Sequence, residues 1–204
     1  MTCQAKKFEL RGLDGISENQ ISQHRDILYA GYVNKLNEIE ERLKNCDISK
    51  ANQIFSDLRA LKSEETFAMN GVILHELYFE NLGGKGTSPG KELQNLITRD
   101  FGSPGKWTDE FKACGMAARG WVMLGLSAFD GRLHNWCLDT HNFNVPALAH
   151  PILIMDVYEH AYTIDYGVRR PPYIEAFVKN IDWNVCSERL ARIPEKIIPK
   201  MAAS

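Results

Sequence analysis

Pro151-Ile152-Leu153-Ile154-Met155 runs directly into Asp156-Val157-Tyr158-Glu159-His160-Ala161-Tyr162. The first part is apolar and short, as a buried strand is, and it ends on a carboxylate with an imidazole four positions further on. If the chain turns helical just after the strand, Asp156 and His160 project the same way and can converge on one ion. Oxygen together with neutral imidazole nitrogen suits iron, manganese or zinc. An Asp in the first turn of a solvated helix gives the same spacing without any metal, so the decision rests on partners elsewhere in the chain.

Outward from this segment the chain divides into two halves. Upstream, Trp121 to Ala128 and Arg132 to Asp139 flank Asp130-Gly131, a strong hairpin signal. With Pro151 to Asp156 they make three antiparallel strands. Helices are expected over about Lys91 to Phe101 and Pro104 to Arg119, then from Arg170-Pro171-Pro172 to about Asn180, and from Asp182 to about Arg192. The front half reads as helix. Ile21, His24, Ile27, Leu28, Gly31, Tyr32, Leu36, Ile39 and Leu43 follow three-and-four spacing between about Ser17 and Asn45. A second helical region begins near Asp47 and passes Phe55, Leu58 and Leu61. After Lys62-Ser63-Glu64-Glu65, a third carries Phe67, Val72, Leu74, His75, Tyr78 and Phe79 to a stop at Gly83-Gly84. The Gly, Ser, Thr and Pro-rich stretch Gly83 to Gly90 is the natural boundary. The expected fold class is α+β: an N-terminal helical hairpin domain, 1–83, then a mixed domain, 84–204, with a small three-stranded antiparallel sheet flanked by helices and the candidate metal site between the two.

At 204 residues and 44% hydrophobic, the chain can bury a substantial core. A net charge of −2 points to neither nucleic acid nor a membrane surface. The opening residues lack the apolar run of a secretory signal, and no stretch approaches the roughly 18 apolar residues of a membrane span, so a cytoplasmic protein is expected. The five cysteines are odd in number and scattered without CxxC spacing, which argues against a disulfide framework and for reduced thiols. His134 and His150 read as surface or structural, and Glu38 to Lys44 as a solvated helix face.

Partners for Asp156 and His160 belong on apolar helix faces, because a buried neutral imidazole needs a ligand or a hydrogen-bond partner. His24 and His75 both qualify. Taken singly, each also fits a satisfied core histidine.

Together these residues resemble the iron/manganese superoxide dismutase family. Its signature D-x-W-E-H-A-Y stands here as Asp156 to Tyr162, with Tyr158 at the Trp position. Its first helix is matched by His24, Tyr32-Val33 and Leu36-Asn37, its second helical ligand by His75. Gly120-Trp121, Arg170-Pro171 with Tyr173, and Asp182-Trp183-Asn184 extend the match over about Phe8 to Arg192. The resemblance implies an oxidoreductase, a superoxide dismutase converting superoxide to dioxygen and hydrogen peroxide. It implies one iron or manganese ion per subunit on His24, His75, Asp156 and His160, with solvent in a fifth position. Three neutral imidazoles and one carboxylate leave a divalent ion at net +1 and a trivalent one at +2, a range that suits redox cycling and excludes zinc, which does not cycle.

In the family a Gln or His holds the bound solvent. The helical candidate position is Gly71, which cannot donate. On the loop side His141 resembles the family histidine, with Asn142 or Asn144 as alternatives. Tyr32 matches the gateway tyrosine and Glu159 the residue that bonds the ligand histidine of a partner subunit, so a homodimer or tetramer is implied. Departures lie around the ligands: Phe79, Met123 and Tyr158 stand where the family packs tryptophans, while Leu28 and Thr163 replace a His and Tyr that pair across the interface. Losing both members leaves no orphaned polar group. The alternative is a dismutase-fold metal-binding or interaction protein with reduced or retuned activity.

Overall fold

The computed structural model describes residues 2–194 and residue 197. The front half is a helical hairpin. Helix α1 (Glu18–Ser22) starts on Ser17, whose side chain accepts from the Gln20 N–H, and it passes without a break through a π-helical segment, Gln23–Tyr29, into α2 (Ala30–Lys44). The wider π turn shifts the buried face. His24, Tyr29, Val33, Leu36 and Ile39 point inward, whereas Ile27 is 63% exposed and Gly31 lies open. The sequence pattern, read at a uniform helical period, placed Ile27 and Gly31 on the core face; the extra residue in the turn moves them out.

A single turn of 3-10 helix, Ile48–Lys50, leads to α3 (Asp57–Glu80), one helix of 24 residues. The two separate helical regions expected from Asp47 to Phe79 are therefore one helix beginning at Asp57, capped by Ser56, with Phe55 outside it and exposed. Lys62-Ser63-Glu64-Glu65 contains no helix breaker, and Lys62 pairs with Glu65 at 2.9 Å on the solvent side.

The hairpin joins the back half through a bridge between Leu82 and Ile181. At Gly84 a Cβ would fall 2.3 Å from the Ile181 carbonyl oxygen, so the junction admits only glycine. Helices α4 (Lys91–Phe101) and α5 (Pro104–Ala117) follow, then β1 (Trp121–Ser127), β2 (Leu133–Leu138) and β3 (Ala149–Asp156). The sheet is antiparallel in the order β2-β1-β3. β1 is central and buried along its whole length, which explains its apolar composition. Its register with β3 slips between Leu124 and Gly125, opposite Pro151, a residue with no N–H to give the ladder. Beyond the turn Glu159–Ala161 come the short α6 (Thr163–Tyr166), then α7 (Arg170–Lys179) and α8 (Trp183–Ala191).

The outer edge of β3 is closed by side chains. Asn81, at the end of α3, accepts from the Ile154 N–H and donates to its carbonyl, and Arg189 on α8 donates to the Ile152 carbonyl and to Asn81. These bonds cover a bare sheet edge and tie the end of α3 to the strand that ends on Asp156.

Candidate metal centre

Three backbone devices aim the four candidate ligands. His24 projects from the π segment, a feature that often accompanies functional sites. His75 lies on α3 and donates from Nδ1 to the Gly71 carbonyl at 2.5 Å, which fixes its tautomer and leaves Nε2 with a lone pair. Asp156 is the last residue of β3, and Tyr173 donates to its carbonyl at 2.6 Å. His160 sits in the turn just after the strand. Gln20 is fully buried; its amide donates to the His160 carbonyl at 2.6 Å and accepts from the Ile164 N–H, tying that turn to α1.

The ligand atoms of His24, His75, Asp156 and His160 all lie within 4.8 Å of one another. Asp156 Oδ1 accepts from the Tyr158 N–H, and Oδ2 faces the imidazoles: 3.1 Å from His24 Nε2, 3.7 Å from His75 Nε2 and 3.0 Å from His160 Nε2. Yet His24 Nδ1, His24 Nε2 and His75 Nε2 make no hydrogen bond. His24 Nε2 is close to the carboxylate but not aligned for donation. His160 Nε2 hydrogen-bonds Oδ2, but the two buried nitrogens His24 Nε2 and His75 Nε2 face the same carboxylate oxygen without partners, an arrangement that a cation resolves. The N₃O donor set suits iron or manganese.

The charge states of Asp156, His24 and His75 favour metal binding. Burial alone raises the Asp156 carboxyl, but His160 and His24 outweigh it and hold the group ionised. Burial pushes the His24 imidazole down, and His75 is pushed further by burial and by His24, so both are neutral. For His160 burial is overridden by Asp156, which raises it.

Around the cluster, His141 is fully buried and doubly bonded. Its Nδ1 accepts from Trp121 Nε1 at 2.9 Å, and since indole only donates, the imidazole proton sits on Nε2, facing Tyr32 Oη at 2.7 Å. Burial brings its pKa down to about 4. Asn70 on α3 donates to the His141 carbonyl and anchors the loop. Asn142 and Asn144 are exposed, and Asn142 is engaged with Thr66. Gly71 makes room for the phenol ring, because a Cβ there would meet Tyr32 Cδ1 at 2.8 Å. Tyr32 itself is raised, first by burial and then by the Asp156 charge.

Phe79 packs edge-on against His24 at 5.0 Å, Tyr158 stacks on His160 at 5.1 Å, and Met123 is buried on β1. Arg170 donates to the Ala118 and Gly115 carbonyls and to Tyr162 Oη, bracing the end of α5 behind the signature turn. Leu28 and Thr163 are half-buried and Glu159 exposed; Leu28 lines an open groove together with Tyr32 and Phe67. His134 pairs with Asp130, and neither it nor His150 joins the cluster.

Three contributors were not singled out from sequence. Trp121 meets His75 edge-on at 4.9 Å as well as holding His141, Phe67 packs on His141 at 4.5 Å, and Gln20 braces His160. Trp121 pairs with Asp156 in the β1–β3 register, a relation that strand composition does not reveal.

Two family models match the chain: the alpha-hairpin domain of iron/manganese superoxide dismutases over residues 8–83, and the C-terminal domain over residues 89–189. Among curated proteins, an iron superoxide dismutase of Aquifex pyrophilus is 50% identical over 188 residues, 89% of this chain and 87% of that one. An iron superoxide dismutase of Cupriavidus metallidurans is 42% identical over 88% of this chain and 90% of its own. A manganese superoxide dismutase of Haloferax volcanii is 36% identical over 88% and 89%.

Proposed function

Because the chain belongs to the iron/manganese superoxide dismutase family, we propose that it converts two superoxide anions and two protons into dioxygen and hydrogen peroxide at one iron or manganese ion per subunit. The ligands are His24, His75, Asp156 and His160. The observation that carries this is their convergence, with His24 Nε2 and His75 Nε2 buried against Asp156 and left without partners. An iron or manganese ion held by these four residues would supply the one-electron redox chemistry that dismutation needs. Iron is the first choice, supported by the iron enzymes at 50% identity.

The residues supply the rest. Ionised Asp156 offsets one unit of the positive charge, and neutral His24 and His75 add none. His141 donates a hydrogen bond from its Nε2–H to Tyr32 Oη and keeps that proton, so the phenol's own O–H is left for donation toward the substrate side, where peroxide formation consumes protons. His141 is proposed to act on the bound solvent through Tyr32, because its two ring nitrogens are taken by Trp121 and the Tyr32 hydroxyl; Asn142 and Asn144 are exposed. Phe79, Met123 and Tyr158 wall the site, and Arg170 positions the turn behind it.

The site lies between two domains, 1–83 and 84–204, each giving two ligands. A homodimer is proposed in which Glu159 accepts from His160 of the partner subunit: Glu159 is exposed, and His160, with Nε2 turned to Asp156 and its side chain 26% exposed, has Nδ1 left to give. Five free cysteines fit a reducing compartment, and the cytoplasm is the proposed location. Among the described residues no helix is long and apolar enough to cross a membrane.

Metal analysis of the purified protein tests the assignment: one iron or manganese per chain is expected, falling at least tenfold in Asp156→Asn or His75→Ala. Full metal content in both variants would overturn it.

A further inference from the structure

Away from the metal centre, α5 lies across β2, and the sequence places complementary side chains along the contact. On β2, Asn135 and Cys137 are two apart and share one face. Asn135 bonds Trp107 and Glu110 of α5. One to two helical turns further along α5 stands Cys114, and Cys137 Sγ donates to the Cys114 carbonyl at 3.7 Å. That contact sets the Cys137 sulfur against the backbone of Cys114 across the α5–β2 face. Both side chains are half-buried and all five cysteines are free.

We propose that Cys114 and Cys137 are a peroxide-sensitive dithiol that closes to a disulfide and fastens α5 to the edge of the sheet. The Cys137 thiolate attacks one oxygen of hydrogen peroxide, the O–O bond breaks, hydroxide leaves, and Cys137 becomes a sulfenic acid. Cys114 then attacks that sulfur, the S–O bond breaks, and water leaves as the S–S bond forms; two thiols lose two electrons and peroxide gains them. Burial and the neighbouring Cys137 push the Cys114 thiol up to about 12, which casts Cys114 as the resolving group and Cys137 as the attacking one. The other three cysteines have no such neighbour among the described contacts. Hydrogen peroxide is the product of the proposed dismutation, but the step takes peroxide from any source, so it stands independently of that reading.

The test exposes the full-length protein to added hydrogen peroxide, alkylates the remaining thiols and maps the digest by mass spectrometry without reduction. The expected result is a fall from five alkylatable thiols to three per chain, a cross-linked peptide pair carrying Cys114 and Cys137, and recovery of all five on dithiothreitol. In Cys114→Ser, dimedone should trap a sulfenic acid on Cys137, while Cys137→Ser should lose the cross-link with dismutase activity before oxidation unchanged. Both cysteines recovered singly, as thiols or as over-oxidised acids, or a cross-link joining other cysteines, would overturn the proposal.

Discussion

Gly71 and Tyr32 show how one missing side chain shapes the site. A methyl at position 71 would fall 2.8 Å from the Tyr32 ring, so Gly71→Ala must displace the phenol and stretch its 2.7 Å bond to His141. We expect that variant to keep its metal, to lose about 1–3 kcal/mol of stability, and to clear superoxide several-fold more slowly; calorimetry and metal-normalised turnover check both. If the apolar Leu28 and the short Thr163 leave proton delivery to Tyr32 and water, turnover should saturate at lower superoxide than with a polar pair at those positions. Pulse radiolysis showing ordinary saturation would contradict that. The four converging side chains were legible in the sequence because their chemistry is distinctive and their order specific. The bracing contacts of Trp121, Phe67 and Gln20 were not, since each depends on which residues the fold sets opposite it, and an aromatic or a glutamine carries no sign of its neighbour.

At the scale of elements, α1 (Glu18–Ser22) is tied to the turn Glu159–Ala161 and the start of α6 by Gln20, the buried amide that bonds both the His160 carbonyl and the Ile164 N–H. Gln20→Ala should cost about 1 kcal/mol, because two partly buried backbone groups lose their partner, and should loosen His160 enough to speed metal loss to a chelator. Metal retention equal to that of the parent protein would count against this bracing. The strands, the hairpin and the C-terminal helices follow from patterning that sequence displays directly: Asp130-Gly131 at the turn, Pro171 and Pro172 at a helix start. The π turn and the continuity of α3 did not follow. A single wider turn shifts every later side chain by a fraction of a period without altering composition, and a charged stretch such as Lys62 to Glu65 reads equally as a loop or as a helix face in water.

For the whole molecule, the depressed imidazoles set a pH dependence in the metal-free protein. His24, His75 and His141 are neutral in the fold, so as pH falls through about 6.5 the unfolded chain takes up protons that the folded one does not, and stability drops. His160 is raised, so below that value it is protonated in both states and adds no slope; its contribution is lost only as pH rises above it, and each of the three depressed histidines costs up to roughly 1.4 kcal/mol per pH unit as the unfolded chain fills. Urea midpoints that do not move toward acid would contradict this balance. Glu159→Ala should weaken both dimerisation and metal retention if Glu159 reaches across a two-fold interface, and sedimentation with metal analysis reads both. The decay of superoxide after a radiolysis pulse bears most directly on the proposed activity. With iron- or manganese-loaded protein, decay should be first order in superoxide, far faster than spontaneous disproportionation and proportional to bound metal, and His24→Ala should abolish the acceleration. Decay at the spontaneous rate with fully metal-loaded protein would show that the four ligands hold an ion that does not turn over.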